Sequence, residues 1–456
     1  MARDLALLWP EIAVLLSAVA ALVAEMLRRP GAALALAVGG LLAAAGLTLP
    51  LLGMDTTVFS GTYRVDTLAV WAKLILLPAT TLSLLLARVD VAGTPREGTV
   101  YSLLCFSTLG ALALAGAGDV MFLVLGTLLT GLATFALVAY PGDDPATEGA
   151  VKFFVFASVT GAIMIFGLTF WFGGSGSTLL ADLARLQARP LAAGLGLAAV
   201  VVGLGYKASL VPFHFWAPDA YEGAPLSVAA YLSVVPKIGA LFALAQTVCD
   251  LPSASGWPLL LAVLAALTMT YGYLAALGQN NLVRLLAYSS IAQSGYFLLG
   301  VVAVGSSRLA VSSLIVFAAA YAAMNLGAFA VVSSAGRTLA ALQGFGRIHM
   351  WLSIAMVIFL LSLVGIPPLA GFAGKFLLFG ASLDAGFAWL AVVAIANSVV
   401  SLAVYLRLVV PMYQAVVGAP AAGHAVPAWS ATVVLAALVA TLTLGLAAQL
   451  FPGPEL

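Results

Sequence analysis

Lys73, Lys152, Lys207, Lys237 and Lys375 are the only lysines in the chain, and all five fall inside runs that otherwise read as membrane-spanning. The thirteen arginines lie at the ends of those runs or between them. The sorting has a chemical reading. A guanidinium cannot release its proton in a protein, whereas desolvation brings a lysine ammonium into the range where it can. Inserting an ammonium at the centre of a spanning helix costs about 2.5–3.5 kcal/mol. That cost is accounted for when the group faces a hydrated interior, where titratable lysines bridged by water relay protons along or across the membrane.

The five positions are not equal. Lys237 sits in the middle of its run, and Lys207 and Lys375 flank the interruptions "SLVPFHFWAP" and "SLVGIPPLAGF". Proline inside a helix removes a hydrogen bond and clashes with the preceding turn, leaving backbone groups that need protein or water partners. These three lysines are the leading proton-transfer sites. Lys152 follows "PGDDPATEGA" at the start of its run, and there a relay role and snorkelling of the long stem to the interface both remain open. For Lys73, snorkelling or a local structural role is the leading reading. His214, just after Pro212, reads equally as a proton shuttle and as a satisfied structural histidine; His349 and His424 read as loop residues. Tyr231, Ser233, Tyr288, Ser289, Ser290, Gln293, Ser294 and Asn325 would each serve alone as interhelical hydrogen-bonding residues. Together they extend a wet path.

The elements that hold these residues must be membrane helices. Of 456 residues, 63% are hydrophobic and 8% charged, which excludes a soluble globular domain. Apolar runs of spanning length recur throughout and favour helices over a barrel of short alternating strands. The fold class is all-α, with fourteen spans near 6–26, 31–53, 66–87, 99–116, 119–140, 151–173, 191–212, 225–248, 256–278, 282–304, 308–336, 351–382, 386–413 and 428–451. "TTVFSGTYRVD" reads as a short surface hairpin. "STLLADLARLQARP", with Leu179, Leu180, Leu183 and Leu186, reads as an interfacial amphipathic helix. The first run carries acids and a proline and reads as a retained helix rather than a signal peptide. Arginines divide eight against five between the two faces, which puts both termini outside the cytoplasm.

Several function classes drop out. The net charge of +1 comes without any basic block, so nucleic acid is not a partner. Cys105 and Cys249 lack metal-ligand spacing and read as packing residues. There is no nucleotide, haem or metal motif, so electron chemistry belongs elsewhere. The two proline-broken spans, the seventh and twelfth, lie five spans apart, a pointer to inverted repeats with an ion site between them. The expected organisation is residues 1–98 with helices one to three and the hairpin, 99–250 and 251–415 as two inverted five-helix repeats, and 416–456 with the last helix.

The segments "ATEGAVKFFVFAS", "GYKASLVPFHFWAPDAYEGAP", "VVPKIGA", "QNNLVRLLAYSSIAQSGY", "NLGAFAVV" and "SLVGIPPLAGFAGKFLLF" resemble the antiporter-like membrane subunits of respiratory complex I, most closely the N-type. The resemblance covers roughly residues 60 to 415. It implies a fourteen-helix subunit in the membrane arm of a proton-pumping NADH:quinone oxidoreductase in a bacterial inner membrane, beside M-type and K-type neighbours. The proton route would run through Lys207, Lys237 and Lys375 with Lys152 contributing. FMN, iron–sulfur clusters and quinone would belong to partner subunits, and none to this chain. One departure stands out: the family usually carries a glutamate in the fifth helix paired with the seventh-helix lysine, and "VMFLVLGTLLTGLATFALVAY" has no acid. Glu148, Asp219 and Glu222 read as edge or loop residues, not as its replacement. Gln293 and Glu222 also stand where a histidine and a glutamine are commoner. Two competing readings remain: a cation/proton antiporter module, and a structural subunit that has lost pumping with the missing acid.

Overall fold

The computed structural model describes residues 2–414 and 426–450, so His424 lies outside the described residues. After a short α1 (Ala2–Leu7), three spans follow: α2 (Trp9–Met26), α3 (Pro30–Thr48) and α4 (Thr67–Val91). Next come α5 (Glu97–Ala115), α6 (Val120–Val138) and α7 (Asp144–Ser175). The seventh span is in two pieces, α8 (Pro190–Lys207) and α9 (Trp216–Gly223), and leads to α10 (Leu226–Cys249). Then α11 (Trp257–Leu277), α12 (Leu282–Val302), α13 (Leu309–Ala335) and a short α14 (Phe345–Ile348) precede another divided span, α15 (Met350–Val364) and α16 (Ala370–Asp384). Helices α17 (Ala388–Tyr413) and α18 (Ala428–Leu450) complete the order.

Among the described residues, 13 helices are long and apolar enough to cross a membrane. The fourteenth expected crossing is the α15–α16 pair, each half 15 residues long. A helix of that length reaches about 22 Å, short of the ~30 Å hydrocarbon thickness, so only the two halves together span it. Four crossings, α10 to α13, lie between the two divided spans, and an even number makes them run in opposite directions. The two proline-broken spans are therefore antiparallel, as an inverted arrangement requires.

Helix starts follow from capping. Asp66, Asp119, Asp143 and Asn281 accept backbone N–H groups at the first turns of α4, α6, α7 and α12. The Asp143 cap begins α7 earlier than the apolar run alone suggests, so Lys152 lies about two turns into the helix. Strands β1 (Thr56–Val58) and β2 (Tyr63–Val65) form the expected antiparallel hairpin, with Val58, Tyr63 and Val65 buried. The segment expected as an amphipathic helix is a 3₁₀ helix over Leu180–Ala188. With three residues per turn it buries Leu180, Leu183 and Leu186 together, while Leu179 pairs with Asp119 in an isolated bridge.

Lipid supplies no hydrophobic drive between helices, so close packing depends on small residues. At Gly272 of α11, a Cβ would stand 2.6 Å from the Ala292 nitrogen of α12. The most enclosed helices hold the central polar side chains: α10 is buried along its whole spanning window and α12 nearly so. Lys237, Ser233, Ser289, Ser290, Gln293 and Asn325 lie on α10, α12 and α13, all buried. That placement spares them from lipid. Of the two cysteines, Cys105 is buried in the packing, but Cys249 is exposed at the end of α10, so only the first is a packing residue.

Candidate proton-transfer site

Each helix break strands carbonyl groups, and each is served by side chains. At the end of α8, Trp216 Nε1 donates to the Tyr206 carbonyl at 2.9 Å, and the Val211 amide donates to Thr268 Oγ1 at 3.1 Å. Lys207 is the last residue of α8, 1% exposed. At the end of α15, Gly365 takes a left-handed turn at φ 95° that a side-chain-bearing residue would resist. The freed carbonyls of Leu363 and Val364 accept from Lys375 Nζ at 2.9 and 3.0 Å. At the second break the lysine therefore sits at the negative end of a helix, whose carbonyls pair with it in place of a carboxylate. Lys375 also reaches Ser398 at 3.4 Å and lies 3.9 Å from the Tyr296 ring centre. A cleft of about 310 Å³ between α16 and α17 opens beside it, lined by Phe372, Phe376 and Phe379.

Between Lys237 and Lys375 lie two hydrogen-bonded stretches that meet at the adjacent residues Ser290 and Ser289. Lys237 Nζ donates to Ser290 Oγ at 2.8 Å. Ser289, the next residue back, bonds Tyr405 OH at 2.6 Å, and Gln293 Nε2 reaches Tyr405 OH at 3.4 Å and Tyr273 OH at 3.0 Å. Gln293 Nε2 also donates to the Leu363 carbonyl at 3.1 Å, the same oxygen that accepts from Lys375. On the other side of Lys237, Asn325 Nδ2 donates to Ser233 Oγ at 2.5 Å, and Tyr321 OH to the Ser233 carbonyl at 2.8 Å. The amide oxygens of Gln293 and Asn325 are buried without partners, places where water would be held. The serines and Gln293 were legible in the sequence; Tyr405, Tyr273 and Ser398 were not, because a tyrosine or serine in an apolar run carries no mark of which face it occupies.

Between Lys207 and Lys237 the connection is aromatic. Lys207 Nζ lies 5.6 Å from the Phe153 ring centre, Phe153 stacks on Trp216 at 4.1 Å, Trp216 meets Tyr221 at 6.1 Å, and Lys237 Nζ lies 5.7 Å from the Tyr221 ring. Among the described residues Lys207 has no ion pair. Gly131 of α6 faces it, where a Cβ would come 3.8 Å from Nζ. His214 is buried in the break, its ring against Phe215 and Tyr271, and its Nδ1 has no partner.

Lys152 lies apart from these groups. Its side chain is 40% exposed and its Nζ sits 2.6 Å from both Glu148 and Asp219. Arg284 Nη1 in turn lies 2.7 Å from Asp219 and from Glu222, Asn281 donates to Glu222 at 2.9 Å, and Arg337 donates to the carbonyls of Glu222 and Ala224. The acids read from sequence as edge residues are therefore the hub that ties α7 and α9 to α12 and the end of α13. The i,i+4 spacing of Glu148 and Lys152 was the available signal. At the opposite end of α10, Arg64 bonds Asp250 and Gln246, and Gln246 bonds Asp66. Lys73 does not snorkel: it is 1% exposed, with Nζ 2.7 Å from Glu11 Oε1. No group of three or more His, Cys, Asp or Glu among the described residues could hold a metal ion.

This architecture can be set against known proteins. The family described as NADH:quinone oxidoreductase/Mrp antiporter, TM, matches residues 117–401, from just after α5 to well into α17. The chain belongs to that family. It is 38% identical over 407 residues to NADH-quinone oxidoreductase subunit N of Mycobacterium sp. (strain JLS), covering 87% of this chain and 86% of the relative. It is 39% identical to NADH-quinone oxidoreductase subunit N 1 of Streptomyces griseus, covering 97% and 96%. Among solved structures, a chain of respiratory complex I from Thermus thermophilus superposes with a TM-score of 0.83 at 31% identity, covering 97% of this chain and 98% of that one. The Mrp complex from Dietzia matches with a TM-score of 0.85 at 22% identity, a likeness of fold. The N-type resemblance read from the motifs agrees with the names these subunit N relatives carry, and it places the line of lysines inside a membrane-arm architecture.

Proposed function

We propose that the chain is the N-type proton-translocating subunit in the membrane arm of a complex I-type NADH:quinone oxidoreductase. It moves protons through Lys207, Lys237 and Lys375 while FMN, iron–sulfur clusters and quinone in partner subunits carry the redox chemistry. The observation that carries the reading is the polar line between two buried lysines: Lys237 bonds Ser290, and from the adjacent Ser289 hydrogen bonds continue through Tyr405 and Gln293 to the Leu363 carbonyl and Lys375. Two cations buried at a standing insertion cost and joined by exchangeable groups suit proton transfer better than packing. Lys152 stands at the entrance on the Asp219–Arg284 face, and His214 contributes beside the first break. The two inverted halves are residues 99–250 and 251–415, and M-type and K-type neighbours flank them. Both termini lie on the non-cytoplasmic side of a bacterial inner membrane.

Replacing Lys237 with Met in the assembled complex tests the assignment, because Met keeps much of the volume and removes the proton site. Reconstituted in vesicles, the variant complex is expected to assemble and to move fewer protons per NADH oxidised. An unchanged ratio favours a structural subunit, and sodium-dependent transport without quinone chemistry favours an antiporter module.

A further inference from the structure

We propose that Glu11, Lys73 and Tyr63 form a second proton-holding site, which passes protons between the central polar line and the membrane face where the chain begins. The inference rests on the proton-translocating reading above. Glu11 stands in the first turn of α2, Tyr63 on β2 and Lys73 in α4. Glu11 Oε1 accepts from Tyr63 OH at 2.5 Å and lies 2.7 Å from Lys73 Nζ. Among the described residues, Lys73 is the one buried lysine with a carboxylate at ion-pair distance.

The cluster is not built like a clamp. Lys73 Nζ meets Glu11 without hydrogen-bond geometry, and both it and Glu11 Oε2 are buried with no hydrogen-bond partner. Glu11 is 8% exposed and Lys73 1%. A purely structural pair gains only when its remaining donors and acceptors are satisfied, and otherwise apolar packing serves as well or better. Unsatisfied groups beside an exchangeable acid are what a site that loads and unloads a proton requires.

Polar groups line the way from the cluster toward the centre. Tyr63 OH also lies 3.5 Å from the Leu112 carbonyl of α5. One turn earlier on α5, Thr108 Oγ1 bonds Thr80 of α4 at 2.8 Å and Tyr231 of α10 at 3.0 Å. Tyr231 shares its helix with Lys237, and Lys73 and Thr80, seven residues apart, share one face of α4. The step at the cluster balances: the Lys73 ammonium gives its proton to the Glu11 carboxylate, leaving a neutral amine and a carboxylic acid. The acid then releases the proton toward the hairpin face, and the amine takes another from the side of these polar groups.

The test compares Glu11→Gln, Tyr63→Phe and Lys237→Met in the whole complex, reconstituted in vesicles, with NADH oxidation and lumenal acidification followed together. Glu11→Gln is expected to lower protons moved per NADH as far as Lys237→Met does, and Tyr63→Phe by less. If Glu11→Gln equals the parent while Lys237→Met loses protons, the second site is refuted and the central line stands. If both equal the parent, the translocating reading falls as well. Should Glu11→Gln fail to assemble, the double swap Glu11→Lys with Lys73→Glu restores the ion pair with its order reversed. Assembly with lost pumping supports the proton site, and assembly with full pumping makes the pair a clamp and overturns it.

Discussion

Ser290→Ala is the sharpest single test of the line between Lys237 and Lys375. Ser290 Oγ is the only hydrogen-bond acceptor of the Lys237 ammonium among the described residues, at 2.8 Å, and it donates onward to the Ala287 carbonyl at 2.8 Å. Its removal leaves the ammonium with the Tyr221 ring face at 5.7 Å and little else. A hydrogen bond to a charged group contributes about 1.5–3 kcal/mol, a factor of about 12 to 140 at this link. The backbone is unharmed, since alanine is the better helix former and Ser290 lies inside α12. In reconstituted complex, NADH-driven proton movement should slow by a comparable factor wherever loading of Lys237 limits turnover, with Ser290→Thr retaining activity because it keeps the hydroxyl. Proton movement by Ser290→Ala equal to that of the parent at every pH would refute the claim that this bond is part of the route.

Arg284→Ala removes one guanidinium from two carboxylates whose side chains are 26% and 39% exposed, a case between exposed and buried pairs. It should cost about 1–3 kcal/mol, read as a lower unfolding temperature of the solubilised complex, whereas Lys152→Ala, with its more exposed side chain, should cost at most about 1 kcal/mol. Gly272→Val should block subunit incorporation, read by co-purification, because even its Cβ would stand 2.6 Å from the Ala292 nitrogen. Normal incorporation would show that α11 and α12 can separate at no cost.

The spans were legible because membrane insertion demands long apolar runs, and the two breaks because proline cannot continue a helix. The lysines stood out because their insertion cost needs a reason. What composition could not show was partnership. For Lys73 the sequence left snorkelling and a local structural role together, and only the fold shows Glu11, far away in sequence, as its partner. Asp219 and Glu222 looked like edge residues because the short α9 reads as a loop, and only the folded chain brings Arg284 between them. The 3₁₀ turn over Leu180–Ala188 was hidden because leucines three apart fit an α-helical face nearly as well.

The two intervals along the lysines differ in kind, and that difference bears on where control resides. From Lys237 to Lys375 the intervening groups are hydroxyls, an amide and a carbonyl, which can exchange or order protons with small movements. From Lys207 to Lys237 they are the faces of Phe153, Trp216 and Tyr221; the Trp216 N–H is held on the Tyr206 carbonyl, which leaves the Tyr221 hydroxyl as the one group among the three rings suited to relay a proton. Rings cannot pass a proton, so transfer across this interval requires the rings to part or water to pass beside them. Phe153 lies on α7 and Trp216 and Tyr221 on α9, the two helices that the Lys152–Asp219 ion pair joins at the membrane edge. A shift of α9 against α7 is therefore felt at once by the edge ion pairs and by the ring stack. With no acid in α6 to pair with Lys207, movement between α7 and α9 is the coupling on which the proposed route would draw.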